Sequence, residues 1–245
     1  RSLTLAASPL PSMTHTVVRP SGCRNSASRE TTRLRSPVSS ASMPLADIPG
    51  SVQIHEMDVR NRDQLETLVA ALPERSIDVV IHNAGIYQPG SRRQVTVDGL
   101  EQTFQVNVLA PYVLTTLIPI PNRLIYLSSG LASGGSIDLD DLMRQHRRWS
   151  GSDAYADSKL CDIALALAVA RRYRDTVVTA VCPGWVRTRM GGTGAPTDLR
   201  TGAATQVWLA TSDEPEALIS GRFMRHMRSL AIPRAATDTD LQEGL

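Results

Sequence analysis

The stretch IDVVIHNA, residues 77–84, is a short run of β-branched residues that stops at an asparagine, an alanine and then Gly85. Three more runs have the same character: VQIHEMDV (52–59), RLIYLSS (123–129) and VVTAVCP (177–183). Helical patterns fill the intervals at about 61–72, 98–118 and 153–173, and a fourth, 199–210, follows the last run. In the 153–173 segment Leu160, Ile163, Ala164, Leu167 and Ala170 recur at spacings of three and four, the period of a helix with one face against a core. Strands alternating with helices are the pattern of βαβ units, so an α/β fold with a parallel sheet is expected.

The chain has 245 residues, 42% of them apolar, which suits one sizeable core and one domain. Its formal charge is +2 with acids and bases interspersed. That balance lacks the concentrated basic face that phosphate-backbone binding needs, so nucleic acid is not expected as a partner. Cys23, Cys161 and Cys182 are odd in number and far apart, with no CxxC pair, and read as buried or free thiols in a reducing compartment. Neither a disulfide framework nor a metal site is indicated. The longest apolar stretch, IALALAVA (163–170), is far shorter than the roughly 20 residues of a membrane span. Residues 1–43 hold six arginines, ten serines and one acid, a composition like that of a mitochondrial transit peptide. A poorly defined leader before a cytoplasmic enzyme is the simpler reading, with Met13 as a candidate start and Thr16-Val17-Val18 as a first strand. The expected boundaries are a disordered leader at 1–13, a domain at 14–230 and a C-terminal tail, truncated or loosely bounded, at 231–245.

The chemistry concentrates in AYADSKL, residues 154–160, which contains the only lysine in the sequence against twenty-five arginines. On a helix, positions i and i+4 share a face, so the Tyr155 hydroxyl and the Lys159 ammonium are expected to act on one substrate. A free tyrosine has a pKa near 10 and is a poor base at neutral pH. A unit positive charge about 4 Å away, at an effective dielectric of about 20, is worth roughly 4 kcal/mol, or about three pKa units in favour of the phenolate. Such a pair also arises by accident on a helical surface, so its neighbours decide. They are a serine at the end of one strand (YLSSG, 126–130), Asn-Ala-Gly at the end of another (IHNAG, 81–85), an asparagine inside a helix (QVNVLAPYV, 105–113) and a proline-glycine break after a fourth strand (VCPGWVRT, 181–188).

In that order the set resembles the short-chain dehydrogenase/reductase family, over roughly residues 14–225. The resemblance implies a single Rossmann-like, doubly wound parallel sheet with helices on both faces, and hydride transfer between a nicotinamide and a carbonyl or alcohol carbon. It implies Tyr155 as general acid/base, Lys159 as the residue that lowers its pKa and holds the nicotinamide ribose, and Ser129 as the hydroxyl on the substrate oxygen. Ser128 is then a structural neighbour. Asn107 matches the family's asparagine that holds a water linking the lysine to solvent, as against a polar group satisfying local backbone. Asn83, Ala84 and Gly85 match the segment beside the adenosine ribose, with His82 where another asparagine is common and with no catalytic role. Asp58 resembles the acid that contacts the adenine amine; its alternative is a cap for the following helix. Pro183, Gly184, Val186 and Thr188 match the stretch that positions the carboxamide.

The resemblance falters at the phosphate loop. Aligned after HTVVRP is SGCRNSAS (21–28), which keeps Gly22 but has Ser26 and Ser28 where the family has glycines. Gly22 also lies too close to Asp58 for a full helix, strand and turn, so the N-terminal βαβ part is expected to be shortened or irregular. Arg24, Arg33 and Arg35 could meet a 2′-phosphate, which points to NADP, with NAD as the alternative. A catalytically idle nucleotide-sensing or scaffold protein is the competing reading. The segment 134–152 resembles that of family members related to retinol dehydrogenases and suggests a substrate with apolar character. Trp149 could line the pocket or pack on its own loop, and residues 190–198 read as a mobile flap over an open site. A homo-oligomer is a family-based expectation.

Overall fold

The computed structural model describes residues 2–6, 14–19, 51–72, 77–90 and 92–245, with side chains from residue 57 onward within those ranges. The centre of the fold is a five-stranded sheet in the order β4-β5-β6-β7-β8, formed by Val79–His82, Arg123–Leu127, Val177–Val181, Arg222–Arg225 and Arg228–Ser229. The first four strands are mutually parallel and the short β8 returns antiparallel to β7. Alternate side chains of each strand enter two cores. Val80, Leu124, Tyr126, Val178 and Ala180 pack with Leu160, Ile163 and Ala164 of helix α4 (Gly151–Arg172). Val79, Ile81, Ile125, Leu127 and Val181 pack with Leu209 and Ala210 of helix α5 (Leu199–Thr211) on the opposite face. Burial on both faces is why these strands read as continuous apolar runs.

Helix α4 starts where Ser150 accepts a hydrogen bond from Asp153 N, and Arg171 and Arg172 occupy its last turn, opposite in sign to the dipole there. Its first sixteen residues are almost wholly buried, including Asp157, Lys159 and Asp162, so a one-sided apolar stripe understates it. Leu160 and Ile163 are fully enclosed, and each contributes roughly 1.5–3 kcal/mol of apolar burial. Helix α1 (Arg62–Ala71) packs Leu65 and Leu68 against Val106 and Ala110 of the segment that includes α2 (Gln102–Phe104), a π-helical turn (Gln105–Leu109) and α3 (Ala110–Leu117). Residues 231–245, expected as a tail, form a 3-10 turn (Arg234–Thr237) and α6 (Thr239–Gly244), which pack on α4 with Ala236 and Gln242 buried.

The N-terminal strands correct the sequence reading. Thr14–Arg19 (β2) is a strand, but it pairs in parallel with Ser51–Glu56 (β3) and antiparallel with Ser2–Ala6 (β1). β1, within the expected disordered leader, lies against β4. In the doubly wound order 3-2-1-4-5-6 the strand beside the fourth is the one that carries the phosphate loop. Thr14–Arg19 therefore stands second from β4 in space, although Ser2–Ala6, beside β4, runs antiparallel to it where that order is parallel throughout. Gly22, Ser26 and Ser28 lie outside the described residues. Among the described residues no helix is long and apolar enough to cross a membrane.

His82, at the end of β4, is buried with its ring 4.9 Å from that of Tyr126, and its Nε2 shares a 2.9 Å hydrogen bond with Thr115 Oγ1. Thr115 Oγ1 in turn bonds the Tyr126 hydroxyl at 2.7 Å. Burial pushes the imidazole pKa down to about 3, so it folds neutral and contributes stability that is present above the unfolded value near 6.5 and lost as pH falls. Between pH 7 and pH 5 the wild type should lose about 2 kcal/mol more than His82→Asn, as read by urea unfolding at the two pH values.

Candidate active site

Lys159 and Tyr155 both reach the cleft at the carboxyl ends of the parallel strands, as the i, i+4 spacing requires. Nζ of Lys159 lies 5.8 Å from the Tyr155 ring centroid. The ammonium is not solitary. It donates to the Leu127 carbonyl at 2.7 Å and to Asp162 Oδ2 at 2.8 Å, one turn further along α4. Both side chains of this ion pair are at most 5% exposed. Burial pushes the Asp162 carboxyl up to about 6, against the opposing pull of the Lys159 charge. Sequence reading missed Asp162 because it stands in the apolar-looking LCDIALA; its i+3 offset from the only lysine was the available signal.

The two serines after β5 divide as the resemblance implies in position. Ser128 is buried, and its hydroxyl donates to the Lys159 carbonyl at 2.6 Å. Ser129 is partly open on the cleft, its Oγ accepting from Leu131 N at 3.2 Å. Tyr155, also partly open, stacks edge-on against Tyr87 with centroids 5.0 Å apart, and its hydroxyl lies 4.0 Å from Met190 Sδ. Asn107 sits in the π-helical turn and works as a staple. Its Oδ1 accepts from Ile86 N at 2.8 Å, and its Nδ2 donates to Ile86 O at 3.0 Å and Ser158 Oγ at 2.9 Å. Ser158 Oγ donates to the Tyr155 carbonyl. Both amide hydrogens are used, and one lone pair of Oδ1 is left over.

The cleft has a volume of about 760 Å³. Asn83 and Gly85 line it on one side and Pro183, Gly184, Val186 and Thr188 on the other. Ala84 lies instead on a small apolar cavity between β4 and α3. Gly184 has φ +87, a left-handed backbone that favours glycine. Asp58 is not on the cleft wall; it pairs with Arg60, Oδ2 to Nη2 at 2.7 Å. Nor does it cap α1, where Asn61 accepts from Asp63 N. The segment 134–152 is anchored by charge: Arg144 Nε meets Asp157 Oδ2 at 2.8 Å and Arg147 Nε meets Asp141 at 3.1 Å. Trp149 lies off the cleft, donating from Nε1 to the Gly90 carbonyl. The expected flap is tied down. Trp185 Nε1 donates to Gly191 O at 2.8 Å, Arg187 N to Thr197 O at 2.8 Å and Gly192 N to Thr188 O at 2.9 Å. Among the described residues no cluster of three or more metal-binding side chains occurs.

Residues 33–218 match the family model described as enoyl-(acyl carrier protein) reductase. The chain is 37% identical over 172 residues to the short-chain dehydrogenase chyC of Penicillium rubens, covering 69% of this chain and 66% of that protein. It is 30% identical over 234 residues to human retinol dehydrogenase 14, covering 82% and 68%. A protein from Mycobacterium paratuberculosis of known crystal structure superposes with a TM-score of 0.68 at 25% identity, over 81% of this chain and 74% of that one. With this sheet, this cleft and these matches, the chain belongs to the short-chain dehydrogenase/reductase family. It spans 56% to 66% of the length of three of the curated relatives it matches.

Two substitutions test how the cleft is held. Asn107→Ala strands the Ile86 amide and carbonyl and should cost about 2–4 kcal/mol in chemical denaturation. Gly151, the first residue of α4, has no room for a Cβ, which would stand 1.9 Å from the Gln88 carbonyl oxygen. Gly151→Ala should cost about 1–3 kcal/mol, also read by denaturation.

Proposed function

We propose that the chain is a nicotinamide-dependent oxidoreductase that interconverts a carbonyl and an alcohol, with NADP preferred. The observation that carries the reading is the meeting of Ser129, Tyr155 and Lys159, from two different elements, on one cleft at the carboxyl edge of a parallel sheet. The cleft suits a nicotinamide riboside in size and chemistry. Bare backbone at Gly85 leaves room beside Lys159 Nζ and Asn107 Oδ1, each 3.6 Å from where a Cβ would stand. The bound nicotinamide would supply or accept the hydride.

The chain's own residues manage position and proton. The Ser129 and Tyr155 hydroxyls hydrogen-bond the substrate oxygen, and in reduction Tyr155 gives its proton to the developing alkoxide. Lys159 holds the ribose and favours the phenolate; Asn107 offers its remaining lone pair toward a water between Lys159 and solvent. Asn83, Gly85, Pro183, Gly184, Val186 and Thr188 form the walls against the ribose and carboxamide. The rim carries large exposed apolar side chains, Leu131, Trp185, Met190 and Leu199, which favour a substrate with an apolar body. The preference for NADP rests on the place of Thr14–Arg19 as second strand. In this fold the turn after that strand reads the ribose 2′ position, and Arg24 follows five residues after Arg19. Asp58 keeps its adenine role beside its pairing with Arg60, which takes one lone pair of Oδ2.

Fluorescence titration with NADPH and NADH is the first test. Micromolar NADPH binding with turnover of an apolar ketone or aldehyde supports the enzyme, and absence of binding up to millimolar cofactor supports the idle scaffold instead. Tyr155→Phe should lower kcat at least about 100-fold with the melting temperature unchanged. Arg24→Ala should weaken NADPH more than NADH.

A further inference from the structure

We infer that Asp162 is a positioning residue that governs Lys159: its carboxylate holds the ammonium back from the ribose and offsets its charge at Tyr155. The inference rests on the reading of the cleft as a nicotinamide site. Of the three Nζ hydrogens, one is given to Leu127 O and one to Asp162 Oδ2, so one remains to meet a ribose diol with two hydroxyls. Full engagement of the ribose requires release of Asp162. The cost of that release is set by burial: a carboxylate only 2% exposed, separated from its counterion, has neither water nor, among the described residues, another donor to turn to. Protonation removes the difficulty, because a neutral carboxyl tolerates the same surroundings and frees the ammonium.

The groups around the pair do not compete for this role between pH 5 and 8. On α4, Cys161 is pushed well up by burial, with the neighbouring Asp162 charge adding to it. From β5, Tyr126 is pushed well up by burial, with Asp162 raising it further. From β4, His82 stands behind Tyr126 and is held neutral by burial. Asp157 is committed to Arg144. Tyr155 is the remaining group nearby, on the open side of Lys159. A step at Lys159 near pH 6 belongs to Asp162 when it persists in Tyr155→Phe and vanishes in Asp162→Asn.

The single lysine makes the test direct. In the full chain carrying 13Cε-lysine, one lysine side-chain resonance is expected, and it should step with a midpoint near pH 6 in the wild type without cofactor. The step should vanish in Asp162→Asn, an isosteric change whose amide oxygen can still accept from Nζ. NADPH affinity at pH 8 should be about tenfold tighter in Asp162→Asn than in the wild type. That gain should disappear when Lys159→Met is added. Differences between variants at one pH cancel the titration of the cofactor's own phosphate. If Asp162→Asn does not fold, the wild type decides: its affinity advantage over Lys159→Met should widen as pH drops from 8 to 5.5. A lysine resonance without a step, or equal affinities at pH 8, overturns the role of Asp162 and leaves the enzyme reading standing. No NADPH binding below millimolar in any variant overturns both.

Discussion

Two hydrogen bonds run in opposite directions between the end of β5 and the third turn of α4. Lys159 Nζ donates to the Leu127 carbonyl, and the Ser128 hydroxyl donates to the Lys159 carbonyl. A long helix packed on a sheet could slide or rotate by a fraction of a turn with little loss of apolar contact, because its core side chains are aliphatic and small. Reciprocal polar bonds in a buried setting forbid this, since any shift strands a donor or an acceptor without water. They fix which residues of α4 face the sheet edge. Everything functional about the cleft follows from that register.

Around this clamp the other supports are arranged in series. Asn107 binds the 83–86 turn to Ser158, and Ser158 binds the carbonyl of Tyr155, so the turn after β4 and the cleft face of α4 are held by one side chain. The π-helical turn is what allows an asparagine to reach across from within a helix. At the amino end of α4, Arg144 and Asp157 pin the long connection from β5, converting what sequence alone presents as an excursion into part of the helix's foundation. The glycine-rich segment after Trp185 is held in the same manner, by backbone bonds and the indole donor.

The sequence disclosed the parts that depend on local pattern. β4, β5 and β6 lie within the β-branched runs, α1 lies within its periodic segment, α4 starts two residues before its own, and Ser129, Tyr155 and Lys159 share one cleft. What it concealed depends on who pairs with whom. Thr14–Arg19 has the composition of a first strand, and only its partners place it second. β7 is four residues, RFMR, too short and too charged at its ends to register as a buried strand. Asp162 interrupts an apolar stretch in the sequence, and only the folded helix shows that it pairs with the lone ammonium. Asp58 was legible as an acid at a strand end, but its commitment to Arg60 was not.

The placement of the sole lysine has a practical side. Within these 245 residues no ε-amine stands on the outer surface, because the one that exists lies at the floor of the cleft and is 5% exposed. Acylating and cross-linking reagents that seek side-chain amines therefore find no surface target on the folded chain. Any adduct formed at this position is a record of a reagent having entered the cleft, not of ordinary surface chemistry.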